Sequence, residues 1–138
     1  MNNRSEAARR AWETRRRNED VKRRVVARAQ QAAGRAISRA KGLGIPIDID
    51  WMRNARAQII NQDYRCALTG IEFDVDYRTE GAGGTHLAPS PDRIDPKLGY
   101  VPDNVRWVLW AVNRAKGEMP EELFVRICRS IVAGADSQ

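Results

Sequence analysis

The sequence predicts an α+β fold that is mainly helical, with a basic N-terminal helical arm ahead of a small strand–turn–strand–helix core. From Val21 to Ala40, apolar side chains recur at three- and four-residue steps, the period of an amphipathic helix. Further along, two short extended runs flank a wide polar turn containing Gly99 and Pro102, and a helical segment follows directly. The chain has 138 residues, 42% of them hydrophobic. We therefore expect one modest core with polar extensions.

The first part of the chain is expected to form three helices. The spacing predicts one helix from Ser5, a second from Asn18 that ends at Gly42, and a third over residues 51–62 with both of its isoleucines facing inward. Glycines and a proline beyond the second helix act as its stop signal. This organisation predicts a basic arm over residues 1–44 and a body over residues 45–138.

The body is expected to contain the strands. In order, the sequence predicts a hairpin over residues 66–73, a polar loop over 74–91, strands over 92–95 and 105–109, a helix over 110–116, and a last helix from Pro120. The side chains predicted to form the core of this region are Leu68, Ile71, Phe73, Ile94, Trp107, Leu109 and Val112. The two cysteines are expected to be reduced and packed as small apolar groups.

Positive charge is concentrated in the arm. Residues 1–42 hold 13 Lys and Arg against 4 Asp and Glu, which leaves 11 against 14 in residues 43–138. Such asymmetry is typical of a nucleic-acid-binding extension. The cations predicted to bind nucleic acid are Arg9, Arg10, Arg15, Arg16, Arg17, Lys22, Arg23, Arg24, Arg28, Arg35, Arg39 and, in the body, Lys116. Lys116 is alternatively a cation that stabilises the end of its helix.

Composition also argues against several classes of protein. No run reaches the ~18–20 apolar residues of a membrane span, and the N-terminus is charged where a signal peptide would be apolar. We therefore expect a soluble, cytoplasmic protein with no membrane partner. One histidine and two separated cysteines cannot supply a four-ligand zinc site, so no structural zinc is expected.

Two oxygen-bearing side chains are candidates for holding a metal ion. Asp92 lies on the first predicted strand and Asn113 lies on the helix that follows the second. If the unit folds so that both converge, they offer two oxygen ligands and leave room for water and phosphate. Such a site suits one divalent cation, Mg²⁺ or Mn²⁺.

The motifs of this region resemble those of HNH endonucleases of the ββα-metal superfamily, in particular the small ones of phages and prophages. The motifs that carry the resemblance are Cys66-x-x-Thr-Gly-x-x-Phe73, Pro-Ser-x-Asp-Arg-Ile-Asp-Pro at 89–96, Gly99-Tyr100-x-x-x-Asn104-Val105 and Asn113-x-x-Lys116-Gly117. The resemblance implies a metal-dependent hydrolase of phosphodiester bonds, with double-stranded DNA as the expected partner. It also implies that Asp92 and Asn113 are metal ligands, that Asn104 holds the turn, and that Arg93 occupies the position of the usual general-base histidine.

Arginine at that position leaves the chemistry open. A guanidinium stays protonated and cannot accept a proton from water, but it can bind a phosphate or stabilise its developing charge. It could equally form a salt bridge with Asp92 or Asp95. The candidates for a replacement base are His86, the one residue of a type that titrates near neutral pH, then Asp95, then a phosphate of the substrate.

Several functions are therefore kept as alternatives. The first is an active endonuclease in a bacterial host or phage-infected cell. The second is a non-catalytic DNA-binding protein on the same scaffold, such as an accessory to phage packaging machinery or a regulator. The third is an RNA-binding protein, since Arg-rich helices also suit structured RNA. A homodimer is left open, because double-strand cutting by one such unit favours a pair.

Overall fold

The computed structural model describes residues 3–77 and 85–138. The fold is α+β, as predicted. Its helices and strands are α1 (Asn3–Leu43), α2 (Ile49–Asn61), β1 (Pro89–Arg93), β2 (Val105–Leu109), α3 (Trp110–Lys116) and α4 (Glu121–Asp136). The two strands pair antiparallel and form one sheet. The centre of the polar loop predicted over 74–91, from Gly81 to Gly84, lies outside the described residues.

Helix α1 is one continuous helix of 41 residues, so the prediction of two helices was wrong. Asn18 to Asp20 resemble a helix start, but no glycine or proline lies between Ser5 and Ala33 to end the preceding turn. The predicted stop is confirmed, because the helix ends at Leu43 and Gly44 adopts the left-handed φ of +68°. There the amide of Ile45 donates to the carbonyl of Ala40 at 2.8 Å.

The C-terminal half of α1 forms part of the hydrophobic core. Its buried residues, Val25, Ala29, Ala33, Ala36 and Ala40, pack in one cluster with residues of α2 and of the sheet. At the centre of that cluster, Trp107 is fully buried and its indole Nε1 donates to the carbonyl of Ala55 at 3.1 Å. The boundary predicted at residue 44 stays a prediction, but this half of the predicted arm shares its core with the body.

The predicted core is correct for some residues and wrong for others. Phe73, Trp107 and Leu109 are buried, and Leu68 and Val112 are partly buried. Three residues predicted to face inward are exposed, namely Ile60, Ile71 and Ile94. On α2, Ile60 is turned away from the core because its neighbour Ile59 fills the inward position. Ile71 and Ile94 lie outside the helices and strands, directly after Gly70 and directly after the end of β1.

One of the two strands differs from the prediction. Strand β2 and helix α3 have the predicted bounds, but β1 spans Pro89–Arg93 rather than residues 92–95. The predicted hairpin over 66–73 is reduced to a tight turn with a single bridge between Arg65 and Glu72. Cys66 is buried, as predicted, whereas Cys128 is exposed.

Helix α4 begins after Pro120, as predicted, but none of its residues is buried. Ile131 and Val132 are both exposed, although the helix is strongly amphipathic. Leu123 and Phe124 near its start are partly buried, so the rest of the described chain covers only the beginning of the apolar face.

The packing of α1 predicts the effect of one enlarged side chain. Ala36 is fully buried, so we expect Ala36→Leu to overpack the core and lower the free energy of unfolding by about 1–3 kcal/mol. Ala27→Leu, on the exposed face of the same helix, is the matched control and should change it by less than about 0.5 kcal/mol. Urea unfolding followed by tryptophan fluorescence measures both. Equal stability of the two variants would mean that α1 is not part of the core.

Candidate functional site

The wide turn between β1 and β2 is closed by the side chain of Asn104, which is almost fully buried. Its Oδ1 accepts from the amide of Asp95 at 2.9 Å, and its Nδ2 donates to the carbonyls of Gly99 at 2.9 Å and Asp95 at 3.2 Å. Three bonds from one amide group hold both ends of the turn together. This is the turn-holding geometry that the resemblance implies, while a part in catalysis stays a prediction.

The end of β1 carries a buried carboxylate between two cations. Asp92 is 2% exposed and lies directly opposite Arg106 in the sheet register. One carboxylate oxygen accepts from Arg106 Nε and the other from Lys116 Nζ, each at 3.1 Å. A buried carboxylate requires such compensation, and charge-assisted hydrogen bonds are the strong ones. Both oxygens of Asp92 are therefore engaged inside the protein.

Both cations belong to the interior of this centre. Lys116 is 1% exposed, and its ammonium lies 3.4 Å from the carbonyl oxygen of Arg93. Arg106 also forms an ion pair with Glu121 at the start of α4, at 3.0 Å. The nucleic-acid contact predicted for Lys116 stays a prediction that this arrangement does not support. Sequence reasoning missed Arg106 and Glu121, because the cross-strand register that pairs Arg106 with Asp92 has no local signal.

The structure brings the two predicted metal ligands to one small cavity. Asn113 of α3 donates from Nδ2 to Ser90 Oγ at 2.8 Å and to the carbonyl of Pro91 at 3.1 Å, so it ties α3 to β1. A cavity of about 210 Å³ is lined by Asp92, Arg93 and Asn113, with Arg39 of α1 on the facing wall.

Arg93 and Asp95 are both used by the turn. The guanidinium of Arg93 donates from Nη1 to the carbonyls of Pro96 at 2.9 Å and Leu98 at 3.4 Å, and it lies over the ring of Tyr100. Asp95 accepts from the amide of Lys97 at 2.9 Å. Within residues 3–77 and 85–138, Arg93 forms no ion pair with either of the carboxylates considered for it.

His86 lies beside the start of α3. Its ring centroid is 5.7 Å from that of Trp110, and its carbonyl accepts from the amide of Ala111 at 3.0 Å. The described residues that line the Asp92 cavity do not include His86. The three candidate bases of the sequence analysis thus remain untested, and His86 and Asp95 both have structural contacts of their own.

The Asp92 centre does not fit a divalent cation in this arrangement. Mg²⁺ needs near-octahedral oxygen ligation at ~2.0–2.1 Å, but both oxygens of Asp92 already accept from cationic groups that would repel the ion. In the part of the chain that the structure describes, no group of three or more His, Cys, Asp or Glu side chains is placed to hold a metal. Mg²⁺ or Mn²⁺ at Asp92 and Asn113 therefore stays a prediction.

A larger groove lies between the surfaces of α1, β1 and α3. It has a volume of about 690 Å³, and arginines line it from both sides: Arg28, Arg35 and Arg39 from α1 and Arg114 from α3. Ser90 and Asn113 add polar groups to its floor, and none of the described residues that line it carries a carboxylate. Since Arg39, Pro91 and Asn113 line both cavities, the groove adjoins the Asp92 centre. The result is a concave cationic surface.

The three α1 arginines of this groove were predicted, and Arg114 was missed. Arg114 was overlooked because it lies in a short helix with no charge excess around it, and its guanidinium is held over the ring of Trp110. The other arm residues predicted to bind nucleic acid are exposed or partly exposed. Their contacts are Arg9 with Glu13, Arg10 with Glu6, Arg23 with Asp20, Arg24 with Asp76, Arg15 with the carbonyl of Ala11, Arg16 over Trp12 and Lys22 over Tyr64. Arg17 is exposed beside them.

Comparison with family models, with curated proteins and with solved structures gave no match to this chain. Among the described helices, none is both long enough and apolar enough to cross a lipid bilayer.

The buried ion pair predicts a large loss of stability when one partner is removed. Lys116→Met leaves Asp92 with only one cation, and we expect the free energy of unfolding to fall by about 3–5 kcal/mol. Lys97→Met, at an exposed lysine of the turn, is the control and should have little effect. Chemical denaturation measures both.

A double variant separates charge from packing. Asp92→Leu combined with Lys116→Met removes both charges and leaves Arg106 paired with Glu121. It should recover part of the loss, because the buried carboxylate that had lost one of its two cations is gone. A double variant less stable than Lys116→Met would contradict this explanation.

Proposed function

We propose that this protein binds double-stranded DNA in the basic groove between α1 and the β1–α3 unit. The observation that carries the proposal is the lining of the groove, which includes three arginines of α1 and one of α3 and, among the described residues, no carboxylate. Guanidinium groups bind phosphate oxygens in pairs of parallel hydrogen bonds, and a concave cationic surface attracts a polyanion. Contacts of this kind position the protein on the backbone and carry little sequence information.

The charge distribution supports the same proposal. Lys116 and Arg106 are neutralised at Asp92 and Glu121, so they add little to the surface field. Within the described residues, no carboxylate lies within ion-pair distance of the α1 arginines that line the groove. Their charge is available to phosphate. Binding through these groups needs no divalent cation.

The salt dependence of binding tests the proposal. If the four groove arginines contact phosphate, log K for a 20-base-pair duplex should fall with log[salt] at a slope steeper than about −3. Binding should be the same in EDTA as in Mg²⁺. Fluorescence anisotropy on the full chain measures both, with structured RNA as competitor at matched salt. Tighter binding of the RNA would favour the RNA-binding alternative instead.

A matched pair of charge variants locates the binding surface. Arg35→Ala with Arg114→Ala removes one arginine from each wall of the groove and should weaken binding at least about tenfold, with the salt slope reduced by about 2. Arg53→Ala with Arg56→Ala removes the same charge from the exposed face of α2 and should change affinity by less than about twofold. Equal losses would show that binding depends on total charge and not on the groove.

A second candidate function is the metal-dependent endonuclease implied by the sequence resemblance. One observation favours it: Asp92, Arg93 and Asn113 line a cavity that adjoins the groove, where a bound backbone would pass. This candidate requires Asp92 to exchange its internal cations for a metal ion. The protein would then act in a bacterial or phage-infected cell, and a dimer would serve double-strand cutting.

Plasmid cleavage separates the two candidates. An endonuclease should nick or linearise supercoiled plasmid in Mg²⁺ or Mn²⁺, and Asn113→Ala should abolish cutting while duplex binding persists. A plasmid that stays intact across both metals and a range of salt would exclude hydrolysis. Duplex binding in the same samples would then select the non-catalytic function, such as packaging or regulation.

A further inference from the structure

The arginines of α1 form a narrow stripe that extends well beyond the groove. At about 100° per residue, Arg10, Arg17, Arg24, Arg28, Arg35 and Arg39 all fall within a sector about 60° wide. From Arg10 to Arg39 only one other residue, Val21, falls in that sector. We call these six residues the arginine stripe. The other cations of the helix lie outside the sector.

The stripe is continuous with the groove. Its last three residues, Arg28, Arg35 and Arg39, line the groove, and its first three lie on the same face of the same unbroken helix. All side chains from Ala7 to Glu19 are exposed, so this end of α1 projects beyond the core. Two of the first three arginines form ion pairs. Arg10 Nη2 lies 3.6 Å from Glu6 Oε2, and Arg24 Nη2 lies 2.7 Å from Asp76 Oδ2. These side chains are exposed, and exposed ion pairs contribute little to the free energy of folding.

We propose that duplex DNA bound in the groove continues along the arginine stripe to Arg10, an inference that rests on the proposed function. At 1.5 Å per residue, the stripe is about 43 Å long. Phosphates of one strand advance about 3.4 Å along the duplex axis, so this length corresponds to about 13 base pairs. A duplex too short to span the stripe engages the groove alone. Charge complementarity and continuity with the groove make a polyanionic duplex the occupant of this face.

The chain itself offers a closely matched control. Arg10 and Arg17 lie on the stripe, seven residues apart, while Arg9 and Arg16 are their immediate neighbours and lie about 100° away around the helix. Each pair includes one arginine in a weak i,i+4 ion pair, to Glu6 or to Glu13. Substituting either pair by alanine removes the same charge from exposed positions. Alanine is the best helix former, so the helix is retained in both variants.

The test measures affinity of the full-length protein for an 8-base-pair hairpin and for a 20-base-pair duplex, at several salt concentrations. We expect Arg10→Ala with Arg17→Ala to weaken binding of the 20-base-pair duplex about five- to tenfold and to reduce the salt slope by about 2. The same variant should bind the hairpin like the wild type. Arg9→Ala with Arg16→Ala should change either affinity by less than about twofold. Circular dichroism confirms equal helix content.

Two results would overturn the inference. If both double variants weaken binding of the long duplex equally, the arm contributes charge without a preferred face. If the stripe variant weakens the hairpin as much as the long duplex, the N-terminal arginines do not extend the path. In either case wild-type binding in the groove persists, and the proposed function stands. A wild-type protein that binds neither DNA would overturn both proposals together.

Discussion

The arrangement of the sheet and the short helix depends on one buried carboxylate. Asp92 on β1 accepts from Arg106 on β2 and from Lys116 on α3, and Arg106 continues to Glu121 at the start of α4. Removing Asp92 would leave Lys116 buried without a carboxylate, and removing either cation would leave Asp92 with one partner instead of two. These ion pairs connect β1, β2, α3 and α4 at one place in the structure. Since β1 and α3 also form one wall of the basic groove, this charge cluster sets the shape of that wall.

This centre forces a choice between two uses of the same carboxylate. A divalent cation at Asp92 and the ammonium of Lys116 would compete for one oxygen, and the ammonium has the advantage of being part of the fold. The Nζ of Lys116 lies 3.1 Å from Oδ1 of Asp92, and Lys116 belongs to α3, the helix that also carries Asn113. DNA binding requires no such exchange, because the groove arginines remain available while Asp92 stays paired. That difference is why binding is better supported by the geometry than hydrolysis.

Local sequence patterns predicted some elements to the residue and missed others. The bounds of β2 and α3 were predictable because an apolar extended run, a helical run and Gly117 at φ +53° follow each other directly. The register of Asp92 against Arg106 was not, since it depends on how Asn104 closes a turn of ten or so residues. The burial of Lys116 was not predictable for a related reason. A lysine at a helix end normally lies in solvent, and only the buried carboxylate across the sheet draws it inward.

Helix α1 connects the core to the charged surface. Its alanine face packs against the sheet, and small side chains there let the helix approach closely enough for arginines on the adjoining face to line the groove. Because the two faces are fixed about 100° apart on one rigid helix, the packing of Ala29, Ala33 and Ala36 also determines where the arginine stripe points. A proline near Asn18 would have broken or kinked the helix and ended this coupling. Because α1 is uninterrupted, the packing of its C-terminal half in the core also fixes the direction in which the exposed arginines of its N-terminal half point.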